Sequence, residues 1–230
     1  MSPLCRLLPT ALRAALPAAL LLAALPSGAA ARVTSADASA QVLVVGDSLA
    51  VGLKATLPGL LGADIAWDAK SGRTTPQGLT ALRSSLKIVR PKVVVVSLGT
   101  NDGPDPRRFA SRINRALAAI GPNACVVWSD IYRPARKGPY AALNGVLTQE
   151  ALKARQLHLV AWDRAVTRRA VTLPDGLHPD AAGFAYRAQL IAKAVRAHCG
   201  MKAMGESVPA PVGDDTTGGD DDGTGGVAAP

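Results

Sequence analysis

Apolar and polar positions alternate along this chain in blocks. Val42-Leu43-Val44-Val45 and Val93-Val94-Val95-Val96 are unbroken apolar runs rich in β-branched residues. Such residues crowd a helix at χ1 and suit a strand buried on both faces. Ile65-Ala66-Trp67, Cys125-Val126-Val127-Trp128 and Leu157-His158-Leu159-Val160 are more mixed runs of the same kind and predict three further strands. Between them, Thr80 to Val89, Arg107 to Ala119 and Leu143 to Arg155 carry apolar residues at helical spacing. Pro179 to Ala197 reads as a last helix with Pro179 in its first turn. Strands alternating with helices imply a parallel sheet covered on both faces. The expected fold class is α/β: a three-layer α/β/α sandwich around a five-stranded, parallel, flavodoxin-like sheet.

In such a sheet, ligands gather outside the carboxyl ends of the strands. The segments that follow the first three strands carry chemistry there. Gly46-Asp47-Ser48-Leu49 follows the first, Ser71-Gly72 the second and Gly99-Thr100-Asn101-Asp102 the third. Asp175-Gly176-Leu177-His178-Pro179 leads into the last helix, which must start at the same edge. Ser48 follows a glycine that permits a tight strand-to-helix turn, and free N–H groups lie beside a helix start. The alternative use of such a serine is an ordinary N-cap. Of the three histidines, His178 stands in a loop with a carboxylate three residues away, whereas His158 in a strand and His198 at a helix end read as structural. Asn101 offers a side-chain N–H, Gly72 a backbone N–H with no Cβ in the way, and the Ser48 N–H is a third donor. Asp47 and Asp102 read as carboxylates that bind loop N–H groups, and Asn144 as an aid to loop order. A serine, a base, a carboxylate that orients the base, and donors for an oxyanion are the parts that acyl-ester cleavage needs.

These four segments, in this order, resemble the SGNH hydrolases, also called the GDSL esterase/lipase family. The resemblance covers roughly residues 40 to 200. It implies Ser48 as nucleophile, Asp175 and His178 as its catalytic partners, and an oxyanion hole of Ser48, Gly72 and Asn101. It also implies ester chemistry without a cofactor, on a substrate that the resemblance leaves open. Short acyl esters, including O-acetyl groups on carbohydrate, suit a chain with no long apolar insertion to build a lid or an acyl tunnel. An acyltransferase using the same residues, or a silent module that binds cell-wall glycan, are the rival readings.

Charge and composition alter this picture at the edges. The net charge is +9, but six of the acidic side chains lie after Gly205 and two of the basic ones before residue 14. Residues 32–204 therefore carry about +13. A basic surface attracts anionic polymers such as those of a cell wall, or lipid head groups. Nucleic acid is not the expected partner: the basic residues are scattered, and aromatics, at 3%, are too few for a stacking platform. Lys70, Arg73 and Arg133 flank the expected site edge and read first as a solvated rim, with an acidic substrate as the other use. Cys and His lack metal-ligand spacing, and no glycine-rich phosphate loop is present.

Residues 1–31 read as a secretory leader. Arg6 and Arg13 precede or open an apolar run, Ala14 to Leu25, and Ala29-Ala30-Ala31 offers a cleavage site. An uncleaved anchor is the alternative, although the run is short and interrupted by Pro17. Residues 205–230 hold Gly, Pro, Thr and Asp with few large apolar groups, too little to offset ordering entropy, so disorder is expected there. One folded domain, 32–204, remains. Secretion leaves Cys125 and Cys199 in an oxidising compartment. The first opens a strand and the second ends a helix that runs back to the same pole, which favours a disulfide over two free thiols.

Overall fold

The computed structural model describes residues 32–201. The expected leader, and the tail from residue 205, lie outside them. Five strands form one sheet: β1 (Val42–Gly46), β2 (Ile65–Ala69), β3 (Val93–Ser97), β4 (Cys125–Ser129) and β5 (Leu157–Val160). Their order is β2-β1-β3-β4-β5, with every neighbouring pair parallel. This is the flavodoxin-like order expected from the alternating pattern.

Among the described residues, seven α-helices complete the layers. On one face lie α3 (Thr75–Ser85), α4 (Pro106–Ile120) and α5 (Ala141–Lys153); on the other, α1 (Ser48–Val51), α2 (Leu57–Leu61) and α7 (Ala181–His198). The short α6 (Trp162–Thr167) closes the end beyond β5. Because successive side chains of a strand point to opposite faces, each valine run feeds both cores. Leu43, Val45, Val94 and Val96 pack with Leu82, Phe109, Ile113 and Leu147. Val42, Val44, Val93 and Val95 pack with Leu53, Leu57, Ile191 and Val195. The two central strands are fully buried, which is why their pattern is continuous rather than alternating.

Helix boundaries depart from the spacing in instructive places. The helix expected from Thr80 to Val89 runs instead from Thr75 to Ser85. A capping box starts it early: the Thr74 N–H donates to Gln77 Oε1 at 3.0 Å, and Pro76 occupies the first turn. Pro179 does not lie in the first turn of α7. Asp180 is the cap, accepting the Gly183 N–H at 2.7 Å, and Pro179 precedes it. The short helices α2 and α6 have too few turns to show a periodicity in sequence, and neither was expected.

Sheet register places the chemistry. Gly46, Ala69 and Ser97 are level across β1, β2 and β3. Two bonds continue the ladder beyond them, from Lys70 N–H to Gly46 O at 3.1 Å and from Asp47 N–H to Ser97 O at 3.0 Å. Ser48, Gly72 and Asn101 therefore follow within four residues of one row of the sheet. Cys125 and Cys199 sit at the opposite pole and form a disulfide, with Cα atoms 5.5 Å apart.

Candidate active site

Ser48 is the first residue of α1, and the N-cap before it is Asp47, whose carboxylate accepts the Leu49 N–H at 3.0 Å. The ordinary N-cap reading of Ser48 is thus overturned, since the neighbouring residue does that work and leaves the hydroxyl free. Gly46 is needed for a different reason than a special backbone angle. A Cβ there would lie 2.4 Å from Ala50 Cβ and 2.8 Å from Ser97 O. Glycine lets α1 start against β3, and that close approach aims Ser48 outward.

The loop before α7 is built as an Asx-type turn. Asp175 Oδ1 accepts the N–H groups of Leu177 at 2.9 Å and His178 at 2.7 Å, and Gly176 takes φ 78°. The other oxygen, Oδ2, lies 2.6 Å from His178 Nδ1, and His178 Nε2 lies 2.8 Å from Ser48 Oγ. A carboxylate against Nδ1 favours the proton there, which leaves the Nε2 lone pair to accept the Ser48 hydroxyl proton. The bond from the His178 side chain, then that from its N–H, holds the Asp175 carboxyl well below the usual carboxylate range. The chain Asp175–His178–Ser48 can transfer a proton out of a serine hydroxyl.

The three expected oxyanion donors lie at this edge in different states. The Ser48 and Gly72 N–H groups have no hydrogen-bond acceptor among the described residues. Gly72 takes φ 72°, and a Cβ there would meet nothing within 4 Å. Asn101 is already engaged. Its Nδ2 donates to Arg73 O at 3.2 Å and makes a longer contact of 3.5 Å to Asp47 Oδ2, while Lys137 Nζ donates to its Oδ1 at 3.2 Å.

Two of the three rim candidates are not rim. Arg73 is buried: its guanidinium pairs with Asp68 Oδ1 at 2.7 Å and also donates to the Asp68 carbonyl, and Ser85 Oγ donates to Asp68 Oδ2 at 2.9 Å. This clamp fixes the turn that presents Gly72. Arg133 is buried as well and donates to the carbonyls of Asp102, Gly138 and Pro139. It ties the β4–α5 segment to the Asn101 loop. Lys70 is exposed and lines a cavity of about 380 Å³ with Arg32, Asp68, Arg73 and Gln77, a cavity to which Ser48 does not contribute. Asp102 behaves as expected, accepting the Thr75 N–H at 2.7 Å and pairing with Arg112 at 2.8 Å. So does Asn144, whose amide makes both bonds to the Ile131 backbone, each 2.8 Å. His158 and His198 stack on each other at the opposite pole, centroids 4.4 Å apart.

One group beneath the site escaped the sequence reading. Arg187 of α7 is 1% exposed, donates to Ser97 Oγ at 3.0 Å and lies 4.5 Å from the Trp162 ring. Burial pushes its pKa down and that of the equally buried Asp47 up, and the attraction between the two opposes both shifts. A trace was legible: Arg187 interrupts the stripe Gly183, Ile191, Val195 at four-residue spacing. Among the described residues, no three His, Cys, Asp or Glu side chains cluster as metal ligands.

The chain is similar to known proteins in sequence and in fold. Residues 44–186 match the model of the GDSL-like lipase/acylhydrolase family. An arylesterase of Vibrio mimicus is 27% identical over 184 residues, which span 71% of this chain and 92% of that protein. The C-terminal catalytic domain of Streptococcus pneumoniae peptidoglycan O-acetyltransferase A superposes with a TM-score of 0.59 at 19% identity, covering 72% of this chain and 98% of that one. A family 3 carbohydrate esterase of Clostridium thermocellum does so with a TM-score of 0.56 at 20% identity, covering 70% and 97%.

Proposed function

The chain belongs to the GDSL-like lipase/acylhydrolase family and is a carboxylic ester hydrolase, and from that premise we propose that it is secreted and removes short acyl groups, acetyl above all, through an acyl-enzyme on Ser48. The observation that carries the reading is the continuous chain from Asp175 Oδ2 through His178 to Ser48 Oγ, with links of 2.6 and 2.8 Å. Ser48 Oγ attacks the ester carbonyl carbon as His178 Nε2 takes its proton. Asp175 holds the ring and stabilises its charged form. The oxyanion of the tetrahedral intermediate accepts from the Ser48 and Gly72 N–H groups and from Asn101 Nδ2, where it displaces the long contact to Asp47. Collapse breaks the bond to the alcohol oxygen, which leaves with the proton from Nε2. Water then gives a proton to Nε2 and attacks the acyl carbon, releasing the acid and restoring Ser48.

The openness of the site supports a bulky alcohol half: the His178 side chain is 38% exposed and that of Asp175 54%. A carbohydrate fits that openness, and the carbohydrate esterase and peptidoglycan acetyltransferase share the fold. The second reading, transfer of the acetyl group to a sugar hydroxyl instead of water, rests on that same likeness. Nitrophenyl esters from acetate to decanoate, and acetylated polysaccharides with and without a glycan acceptor, test both. Hydrolysis that is fastest on acetate and independent of acceptor supports the hydrolase. Acetylated acceptor as the main product supports the transferase. A maximum at decanoate, with inert polysaccharide, refutes the short-acyl assignment. Culture medium containing protein whose mass begins near residue 32 supports secretion, and retention of the full-length chain in the cell refutes it.

A further inference from the structure

Resting on the ester-cleaving role of Ser48 and His178, we infer that the site selects esters whose alcohol half carries an anionic group, a carboxylate or a phosphate, received by Arg136 and Lys137. These two side chains come from the segment between β4 and α5, of which only Arg133 was expected at the site edge. Both are exposed. Arg136 Nη2 donates to Asp175 O at 2.9 Å, and Lys137 Nζ donates to Asn101 Oδ1 at 3.2 Å. One cation therefore rests on the Asp175–His178 loop and the other on the Asn101 loop, on either side of the space where an ester bound to Ser48 must lie.

Their charge is uncompensated. Arg73, Arg112, Arg108 and Lys153 each pair with a carboxylate. Arg136 and Lys137 make no ion pair among the described residues, and both acceptors that hold them are neutral oxygens. The nearby carboxylates are engaged elsewhere: Asp175 has Oδ2 on the His178 ring and Oδ1 on two backbone N–H groups, and buried Asp47 accepts from Leu49 and faces the Asn101 amide.

The segment that carries the pair is built to stay in place. Buried Arg133 donates to the carbonyls of Gly138 and Pro139 within the segment, and to those of Thr100 and Asp102 beside Asn101. Asn144 fixes its first residues through Ile131. Two long cationic side chains on a mobile rim attract little, because ordering them offsets the Coulomb gain. Here the backbone beneath them is fixed by a buried guanidinium, and each head group already has an anchor. The site opening thus carries two cations that no ion pair offsets, beside an Asp175 carboxylate already engaged by His178, and a negative substrate gains from entering it.

A matched series of aryl acetates tests this on the whole secreted chain: 3-acetoxybenzamide is neutral, 3-acetoxybenzoate carries a carboxylate, and 3-acetoxyphenyl phosphate carries a phosphate. The wild type is expected to show kcat/KM roughly three- to thirtyfold higher for the two anions than for the amide, shrinking as salt is raised toward 0.5 M, as screened charge contacts predict. Arg136→Gln and Lys137→Gln should each cut that ratio, and the double substitution should bring it to about one. Lys137→Glu should turn it below one. Lys193→Gln, exposed on α7, should leave the ratio as in the wild type. The ratio is the readout because Lys137 touches Asn101, so absolute rates also report that contact. A larger gain for carboxylate over phosphate, or the reverse, identifies which anion the site prefers. Equal rates on all three esters, or a preference that survives the double substitution, overturn this inference while leaving the hydrolase reading intact. Failure to cleave any of the three overturns both.

Discussion

Replacing Asn101 separates the chemistry of the site from its architecture. In Asn101→Ala the oxyanion loses one of three donors, which costs about 2.7–4 kcal/mol of transition-state stabilisation, or roughly a hundred- to a thousandfold in kcat. The folded state loses the bond from Nδ2 to Arg73 O at 3.2 Å, worth about 1 kcal/mol. In a domain of this size that lowers Tm by roughly 2–4 °C. Asn101→Asp makes the sharper comparison. It keeps an oxygen for Lys137 Nζ, now as an ion pair, but puts a carboxylate where Nδ2 faced Asp47 Oδ2 at 3.5 Å. At neutral pH that carboxylate also repels the developing oxyanion, so turnover should fall below that of Asn101→Ala. Steady-state kinetics on 4-nitrophenyl acetate, with thermal melts of the same preparations, measure both effects. A folded Asn101→Ala enzyme within threefold of wild-type kcat/KM would refute the donor role, and the oxyanion hole would then consist of backbone N–H groups alone.

Four further outcomes are expected. Ser48→Ala, His178→Ala and the double variant should share one residual rate, because the two groups act in a single proton transfer; Asp175→Ala should cost less, and multiplicative losses for Ser48 and His178 in kcat would contradict this. Removing the disulfide with Cys125→Ala and Cys199→Ala opens a link spanning 74 positions of sequence, which in the chain-entropy model is worth about 4 kcal/mol; Tm should fall by roughly 10 °C, and a fall under 2 °C would argue against a stabilising bridge. Burial, then the neighbouring His198, hold the His158 pKa below its usual value. Between the folded and unfolded pKa values the unfolded chain binds more protons, so stability is complete above the ordinary histidine range and declines as pH drops through it. Burial raises the Asp47 and Asp130 carboxyls to about 6, which acts in the opposite sense, so the readout is a difference: in melts from pH 7.5 to 5 the wild type should lose more stability toward acid than His158→Phe, which preserves a stacked ring. Arg187→Met should destabilise by about 1–3 kcal/mol, because it removes the buried charged bond to Ser97 Oγ at 3.0 Å and the attraction that favours the buried Asp47 carboxylate; a chemical melt with an unchanged midpoint would disprove that dependence.

What the sequence determined by itself was whatever depends on local pattern and chain order. Continuous apolar runs at Val42–Val45 and Val93–Val96 could be satisfied only by strands buried on both faces, and the helices between them made the sheet parallel. A parallel sheet brings every strand's carboxyl end to one edge. The order of the segments bearing Ser48, Gly72 and Asn101 was therefore enough to bring them together, and Asp175 and His178 share one short turn. The opposite pole was fixed by the same logic, which is how Cys125 and Cys199 could be paired. Tertiary structure decided what depends on which side chains and loop carbonyls the folded turns and packed layers bring together. Arg73 and Arg133 look like solvated rim in sequence because surface placement is the default for arginine; only the fold brings Asp68 to one and a set of loop carbonyls to the other. Gly46 is legible as a turn glycine, but the Ala50 and Ser97 atoms that require it come from two elements. Arg187 beside Asp47, Lys137 on Asn101 and Arg136 on the Asp175 loop join residues between 36 and 140 positions apart. Side-chain charge compensation over such separations leaves no periodic trace, because it depends on where the packed layers bring the loops and not on the spacing within any one of them.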